Sequence, residues 1–281
     1  MVFFSKRIVY FFVFTIIFSN YGKMFDDVLL IINFNFAHYE AISFLKKIYE
    51  PYFSKVIFYG PSECPDVYAI EEERGAFSYY ALSDAMQRFP DYKGYLFCHD
   101  DCLMNVWRYN RFDLSKIWAA NHVFVNWHRY DIGEAVNLNK GIRAITNCWW
   151  PTKFGYEALK NAYKETPDCY KEMLKANWGD NCICHAYADI AYIPAVYKDD
   201  FIELCEIYRK NDAWLEGALP TILSCLEYKE NWEKLWEGYG FDRCNEEKTF
   251  KLNADYNHAV KLSKESNRIF VEKIFKKYGN P

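Results

Sequence analysis

The stretch Gly94-Tyr-Leu-Phe-Cys-His-Asp-Asp-Cys-Leu-Met-Asn-Val-Trp107 decides the fold. Tyr95 to Cys98 form a short continuous apolar run, the pattern of a strand covered on both faces in a parallel sheet. The run meets two adjacent carboxylates, Asp100 and Asp101, and apolar sequence resumes at Leu103. Burying both acids without partners costs several kcal/mol, which places them at the carboxyl end of the strand. In open α/β sheets ligands bind outside those ends. Two carboxylates there make a hard, oxygen-rich site suited to Mg²⁺ or Mn²⁺ and, through the metal, to a diphosphate. An acid pair ahead of Leu103 also suits the cap and first turn of a helix.

Upstream, Asp26-Asp-Val-Leu-Leu-Ile-Ile-Asn33 and Lys55-Val-Ile-Phe-Tyr-Gly60 read as strands, and the apolar spacing of Tyr39 to Tyr49 predicts a helix between them. Ala76 to Phe89 reads as a further helix, closed by Pro90. This strand–helix–strand order predicts an α/β fold with a mostly parallel central sheet flanked by helices. No Gly-x-Gly-x-x-Gly occurs, which sets a dinucleotide-binding site aside. Downstream, Leu103 to Asn121 reads as a short helix and connector, and Val123 to Trp127 as a short strand. A helix follows at Lys153 to Thr166, then a strand at Tyr187 to Pro194 and a helix at Lys198 to Lys210. Leu215 to Leu223 reads as a helix start, and Asn257 to Tyr278 as a long lysine-rich helix. No repeat or linker divides the chain, so residues 23–281 read as one domain.

The 281 residues are 51% hydrophobic and 20% aromatic, enough for a substantial core. Net charge is −4, and no run of Lys and Arg exceeds two residues. A phosphate-backbone binder carries a basic stripe, so nucleic acid is excluded as a partner. At the N-terminus, Lys6-Arg7 precede the apolar run Ile8 to Phe18. Residues 1–22 read as a signal peptide or signal anchor, with the body of the protein in the secretory lumen. Ten cysteines lead to the expectation that some pair as disulfides there. Cys182-x-Cys184-His185 resembles half of a zinc site without a second ligand pair.

Taken in order, Phe58-Tyr-Gly60, Gly94 to Asp101 with Trp107, Lys116-Ile-Trp118, Tyr187 to Pro194 and Leu215 to Leu223 resemble a GT-A-type nucleotide-sugar glycosyltransferase. More narrowly, they resemble the STELLO-type glycosyltransferase domain. The resemblance spans about residues 26 to 225. It implies a GT-A-like single domain, a UDP- or GDP-sugar donor, a glycan or protein acceptor, and a Golgi or endoplasmic-reticulum membrane setting. GT-A folds carry Asp-x-Asp at the strand end, whereas this window is His99-Asp100-Asp101-Cys102. Aligning Asp101 with the second acid makes His99 the first, and such a pair would favour Mn²⁺ over Mg²⁺. Aligning Asp100 with the first acid makes Cys102 the second.

Within that frame, Asp101 and His99 are the candidate metal ligands and Asp100 is a candidate for the donor diphosphate. Glu216 is the candidate general base for an acceptor hydroxyl, its pKa raised among Trp214, Leu215, Ala218 and Leu219; a first-turn helix acid satisfied by the dipole is an equal alternative. Asp189 is the rival base or a structural acid. His185 is a candidate late metal ligand, otherwise a structural histidine. Tyr59 and Asp84 are candidates for the nucleotide pocket by position alone. Trp149, Trp150 and Trp214 are candidate stacking platforms for sugars, although core packing is the plainer reading for each. Two rival functions remain: a non-catalytic scaffold or assembly partner of glycosyltransferases, and a secreted disulfide-rich binding protein.

Overall fold

The apolar runs at 26–33 and 55–60 need cover on both faces of the pleat, and each lies inside the sheet between two neighbouring strands. The computed structural model describes residues 23–71, 73–120, 130–131, 153–180, 182–184, 186, 188–239 and 250–279. β1 (Phe25–Asn33) leads through a 3-10 turn at Tyr39–Ala41 into α1 (Ile42–Tyr49). β2 (Phe53–Gly60), β3 (Val67–Ala69), α2 (Tyr79–Arg88) and β4 (Gly94–His99) follow. Beyond the acidic pair come β5 (Leu103–Met104), a 3-10 segment at Val106–Arg111 and β6 (Trp118–Ala120). Next are β7 (Tyr130–Asp131), α3 (Lys153–Glu165), α4 (Asp168–Trp178) and β8 (Cys182–Ile183). The chain continues through β9 (Ile190–Pro194), α5 (Lys198–Lys210) and α6 (Leu215–Leu226). It ends with β10 (Glu233–Leu235), β11 (Glu237–Tyr239), β12 (Tyr256–His258) and α7 (Glu265–Tyr278).

The main sheet has seven strands in the order β10-β6-β9-β4-β1-β2-β3. All its neighbours run parallel except β9, which is antiparallel to both β4 and β6. This is the mostly parallel, helix-flanked α/β architecture that the strand–helix order predicts, and it is GT-A-like. Leu29 to Ile32 on β1 are fully buried between the layers. Register aligns the carboxyl ends: Asn33 of β1 lies between Tyr59 of β2 and His99 of β4. A second sheet, β11-β12-β5, sits directly past that edge.

Three expectations need correction. No helix opens at Leu103; β5 begins there and pairs with β12 through Leu103↔Asn257 and Met104↔Tyr256. The acidic pair is therefore not a helix cap. The tail is not helical from Asn257, because 256–258 is held as a strand between β5 and β11, and α7 starts at Glu265. Both are non-local pairings that override local helical spacing. Finally, all eight described cysteines (64, 98, 102, 169, 182, 184, 205 and 225) are free thiols, so the expected pairing does not occur among them. Six are buried and pack as small apolar groups. Residues 1–22, Val123 to Trp127, Trp149 and Trp150 lie outside the described residues. Among the described residues no helix is long and apolar enough to cross a membrane.

Candidate active site

The site forms where β4 runs out. Asp100 N–H donates to the Asn33 carbonyl (2.9 Å), which ties the turn to the end of β1. The β4–β9 ladder ends at Cys98↔Ile190, and the next pair, His99 and Asp189, still shares a backbone bond from His99 N to Asp189 O (3.1 Å). On the other side, the β5–β12 pairing brings His258 alongside, and Val260 N–H donates to the Asp101 carbonyl (2.7 Å). Sheet register thus assembles Asp100, Asp101, Asp189, His99 and His258 from three separate parts of the chain.

The Asp101 side chain is almost wholly buried. Its Oδ2 accepts a hydrogen bond from the Lys261 ammonium, while Oδ1 has no hydrogen-bond partner and faces His258 Nε2 across 3.4 Å. The same imidazole nitrogen lies 3.6 Å from Asp189 Oδ1, and His258 Nδ1 lies 3.8 Å from Glu237 Oε1. Burial would lower the His258 pKa, but Asp189, Asp101 and Glu237 outweigh it and raise it to about 10. Burial would raise the Asp101 carboxyl, yet His258 and Lys261 hold it well below the usual carboxylate range. Its neighbour behaves oppositely. Burial together with the Asp101 charge raises Asp100 to about 7.

His99 is buried with both ring nitrogens engaged. Nε2 lies 2.8 Å from Ser78 Oγ, and Nδ1 lies 3.3 Å from Asp189 Oδ1. Burial disfavours its charge, but the Asp189 carboxylate prevails and its pKa is raised. Asp189 itself, although buried, is lowered to about 2 by His258 and His99. Cys102 is buried and its thiol pushed up strongly, so it offers no thiolate to a cation.

Glu216 sits in the first turn of α6. Its carbonyl accepts from Ala186 N (2.8 Å), and Leu215 N donates to the Ala76 carbonyl (2.6 Å), so this turn is fastened on both sides. Gly217 follows because a Cβ there would collide with Leu159 of α3. A first-turn carboxylate helped by the helix dipole would be lowered. Glu216 is instead raised to about 7, chiefly by burial and further by Asp189, with His99 opposing. Burial therefore outweighs the hydrogen bond from its own backbone N–H, and Glu216 shares the electrostatic field of Asp189 and His99.

The remaining candidates lie elsewhere. Tyr59 donates to Asp84 Oδ2 (2.8 Å), which also pairs with Arg88 (2.5 Å); these side chains bind one another. Trp214 is half-buried at the start of α6 and packs on the core. His185 lies outside the described residues. The local sequence does not point to His258, Lys261, Glu237 or Ser78. One signal was available: His258 and Lys261 are a His-x-x-Lys pair in a chain with only 6 histidines.

As a metal site the cluster is partial. Among the described residues no three His, Cys, Asp or Glu side chains form a cation cage. Asp101 Oδ1, which accepts no hydrogen bond, and His258 Nε2, once it has lost its proton, could supply one oxygen and one nitrogen donor to a cation.

No protein-family model matches the chain. Its relatives include probable glycosyltransferase STELLO1 of Arabidopsis thaliana, 23% identical over 215 residues, and probable glycosyltransferase STELLO2 of the same plant, 21% identical over 215 residues. The chain is similar to STELLO-type glycosyltransferases. Each match covers 75% of this chain and 26% of the relative, so the chain spans about a quarter of their length.

Proposed function

We infer that this protein is a glycosyltransferase that moves a sugar from a UDP- or GDP-linked donor to a glycan or protein acceptor. The observation that carries the reading is the buried Asp101 carboxylate at the end of β4, with one oxygen that accepts no hydrogen bond and faces His258. The similarity to STELLO-type glycosyltransferases points the same way. Asp101 and His258 would hold Mn²⁺ or Mg²⁺, which when bound neutralises charge on a nucleotide diphosphate; the imidazole donor favours Mn²⁺. His258 would give up its Nε2 proton on ligation. The first-ligand role expected of His99 passes to His258, because Ser78 and Asp189 occupy both His99 nitrogens.

Glu216 is the general base. A carboxylate raised to about 7 is half ionised at neutral pH and strong enough to take a hydroxyl proton. Asp189, lowered to about 2 and fastened by two imidazoles, is a weak base, and its role is to orient His99 and His258. The apolar run at residues 8–18 behind Lys6-Arg7 supports a lumenal Golgi or endoplasmic-reticulum setting for the reaction.

Calorimetry of the full chain with UDP and GDP, with and without Mn²⁺, tests this reading. Metal-dependent binding is expected. Asp101→Ala should weaken it by at least the roughly 10–100-fold that losing an outer partner costs a metal site. Metal-dependent binding with no transfer to any acceptor would favour the scaffold function. No binding of either nucleotide by folded protein would reject the donor site.

A further inference from the structure

We propose that Lys261 is a tethered counter-ion that holds Asp101 in the free protein and passes to the donor diphosphate when the nucleotide-sugar binds. This rests on the donor site proposed above and adds a residue to it.

The two Asp101 oxygens are differently used. Oδ1 faces His258, whereas Oδ2 carries the Lys261 ammonium. The carboxylate is buried, but the lysine side chain is 45% exposed, so the ammonium reaches the carboxylate from the solvent side. Its backbone is fixed. Val260 N–H donates to the Asp101 carbonyl, and the Lys261 carbonyl accepts from Asn267 Nδ2 (2.9 Å) and Lys264 N (3.2 Å). Only the four-carbon stem is free to swing. A lysine ammonium is a compact point charge with three donors, suited to phosphate oxygens. A divalent cation on Oδ1 repels the ammonium on Oδ2, and an incoming diphosphate offers it a more negative partner nearby. The same lysine therefore opposes metal binding in the free protein and strengthens diphosphate binding in the complex. Those opposite signs set it apart from a structural ion pair.

The test uses the full chain and calorimetry with MnCl₂ alone, then UDP and UMP at saturating Mn²⁺. Lys261→Gln should bind Mn²⁺ alone about tenfold more tightly and UDP about tenfold more weakly, the size of one charge-assisted hydrogen bond. UMP, which lacks the β-phosphate, should be unaffected. Lys261→Arg keeps the charge and guards against a folding defect; it should hold UDP within about threefold of wild type. Unchanged UDP affinity in Lys261→Gln overturns the proposal while leaving the donor site standing. Equal losses for UDP and UMP also overturn it, because the effect would then be general. Wild-type protein that binds neither UDP nor GDP removes the donor site and this inference together.

Discussion

An acidic centre lies at each end of β12, and the two are built in opposite ways. At the start, Asp255 is fully buried and saturated: it accepts from Arg108 Nε (3.1 Å), Arg111 (2.5 Å) and Trp236 N (2.8 Å). At the far end, next to His258, the carboxylates are crowded and incompletely paired. Asp101 keeps one oxygen without a hydrogen bond, Asp100 and Glu216 are raised to about 7, and Asp189 is lowered to about 2. With three donors on its two buried oxygens, Asp255 has little capacity left for a ligand. Neighbouring acids held at different protonation states retain capacity for a cation, a diphosphate or a proton. The difference separates an acid that holds the fold from acids that could serve the chemistry proposed above.

The strongest challenge to this contrast is Asp255→Ala. Removing the carboxylate leaves two guanidinium groups and the Trp236 N–H without their partner, and the loss of a buried ion pair costs about 3–5 kcal/mol. Denaturant unfolding should show a destabilisation of that order, with nucleotide affinity unchanged in the fraction that stays folded. A variant that keeps wild-type stability but loses nucleotide binding would place Asp255 in the functional group and dissolve the distinction.

The contrast also explains what local sequence can and cannot convey. The strands at 26–33, 55–60 and 94–99 were legible because each is a contiguous apolar run. Asp100 and Asp101 stood out because two carboxylates interrupt such a run, and Glu216 because it is a lone acid among apolar neighbours. His258 and Lys261 were not legible. They reach Asp101 through the β5–β12 pairing, and the Lys261–Asp101 bond joins residues 160 positions apart. Their own segment, Asn257-His-Ala-Val-Lys261, carries a spacing that reads as helix. Asp255 was invisible for the same reason, since its arginines lie in the 3-10 segment after β5. Local pattern reveals which residues are unusual, whereas long-range register decides which of them meet.

A smaller effect sharpens the contrast from the functional side. Glu216 is raised from 4.5 to about 7, so the folded state binds its proton more tightly than the unfolded chain does. Its contribution to stability is complete below pH 4.5 and is lost as pH rises through about 7. Above that, the folded protein carries a poorly solvated charge. Glu216→Gln removes it and should raise stability at pH 8 by about 2 kcal/mol, a figure discounted for partial exposure of the side chain. Below pH 4.5 the gain should vanish, while transfer activity stays about 10²–10⁴-fold low at every pH. Thermal unfolding at pH 4 and pH 8 reads the difference. A variant less stable than wild type at pH 8 would mean that the carboxylate is structural, like Asp255.

The smallest expected effect anchors the solvent-exposed end of the scale. Asp27 pairs with Lys93 at 2.5 Å, but both side chains are largely exposed. Their attraction is screened by water and salt, and fixing two mobile side chains offsets much of what remains. A main-chain bond from Lys93 N to the Asp27 carbonyl (2.8 Å) already joins the two segments and survives any side-chain change. Asp27→Asn should therefore shift the unfolding free energy by less than about 0.5 kcal/mol, and less still in high salt. Burial, not short distance, ranks the three sites, since this contact is as short as the Arg111–Asp255 pair. A loss above about 1 kcal/mol at Asp27 would break that ranking and would require a charge network across this edge of β1 and the turn before β4.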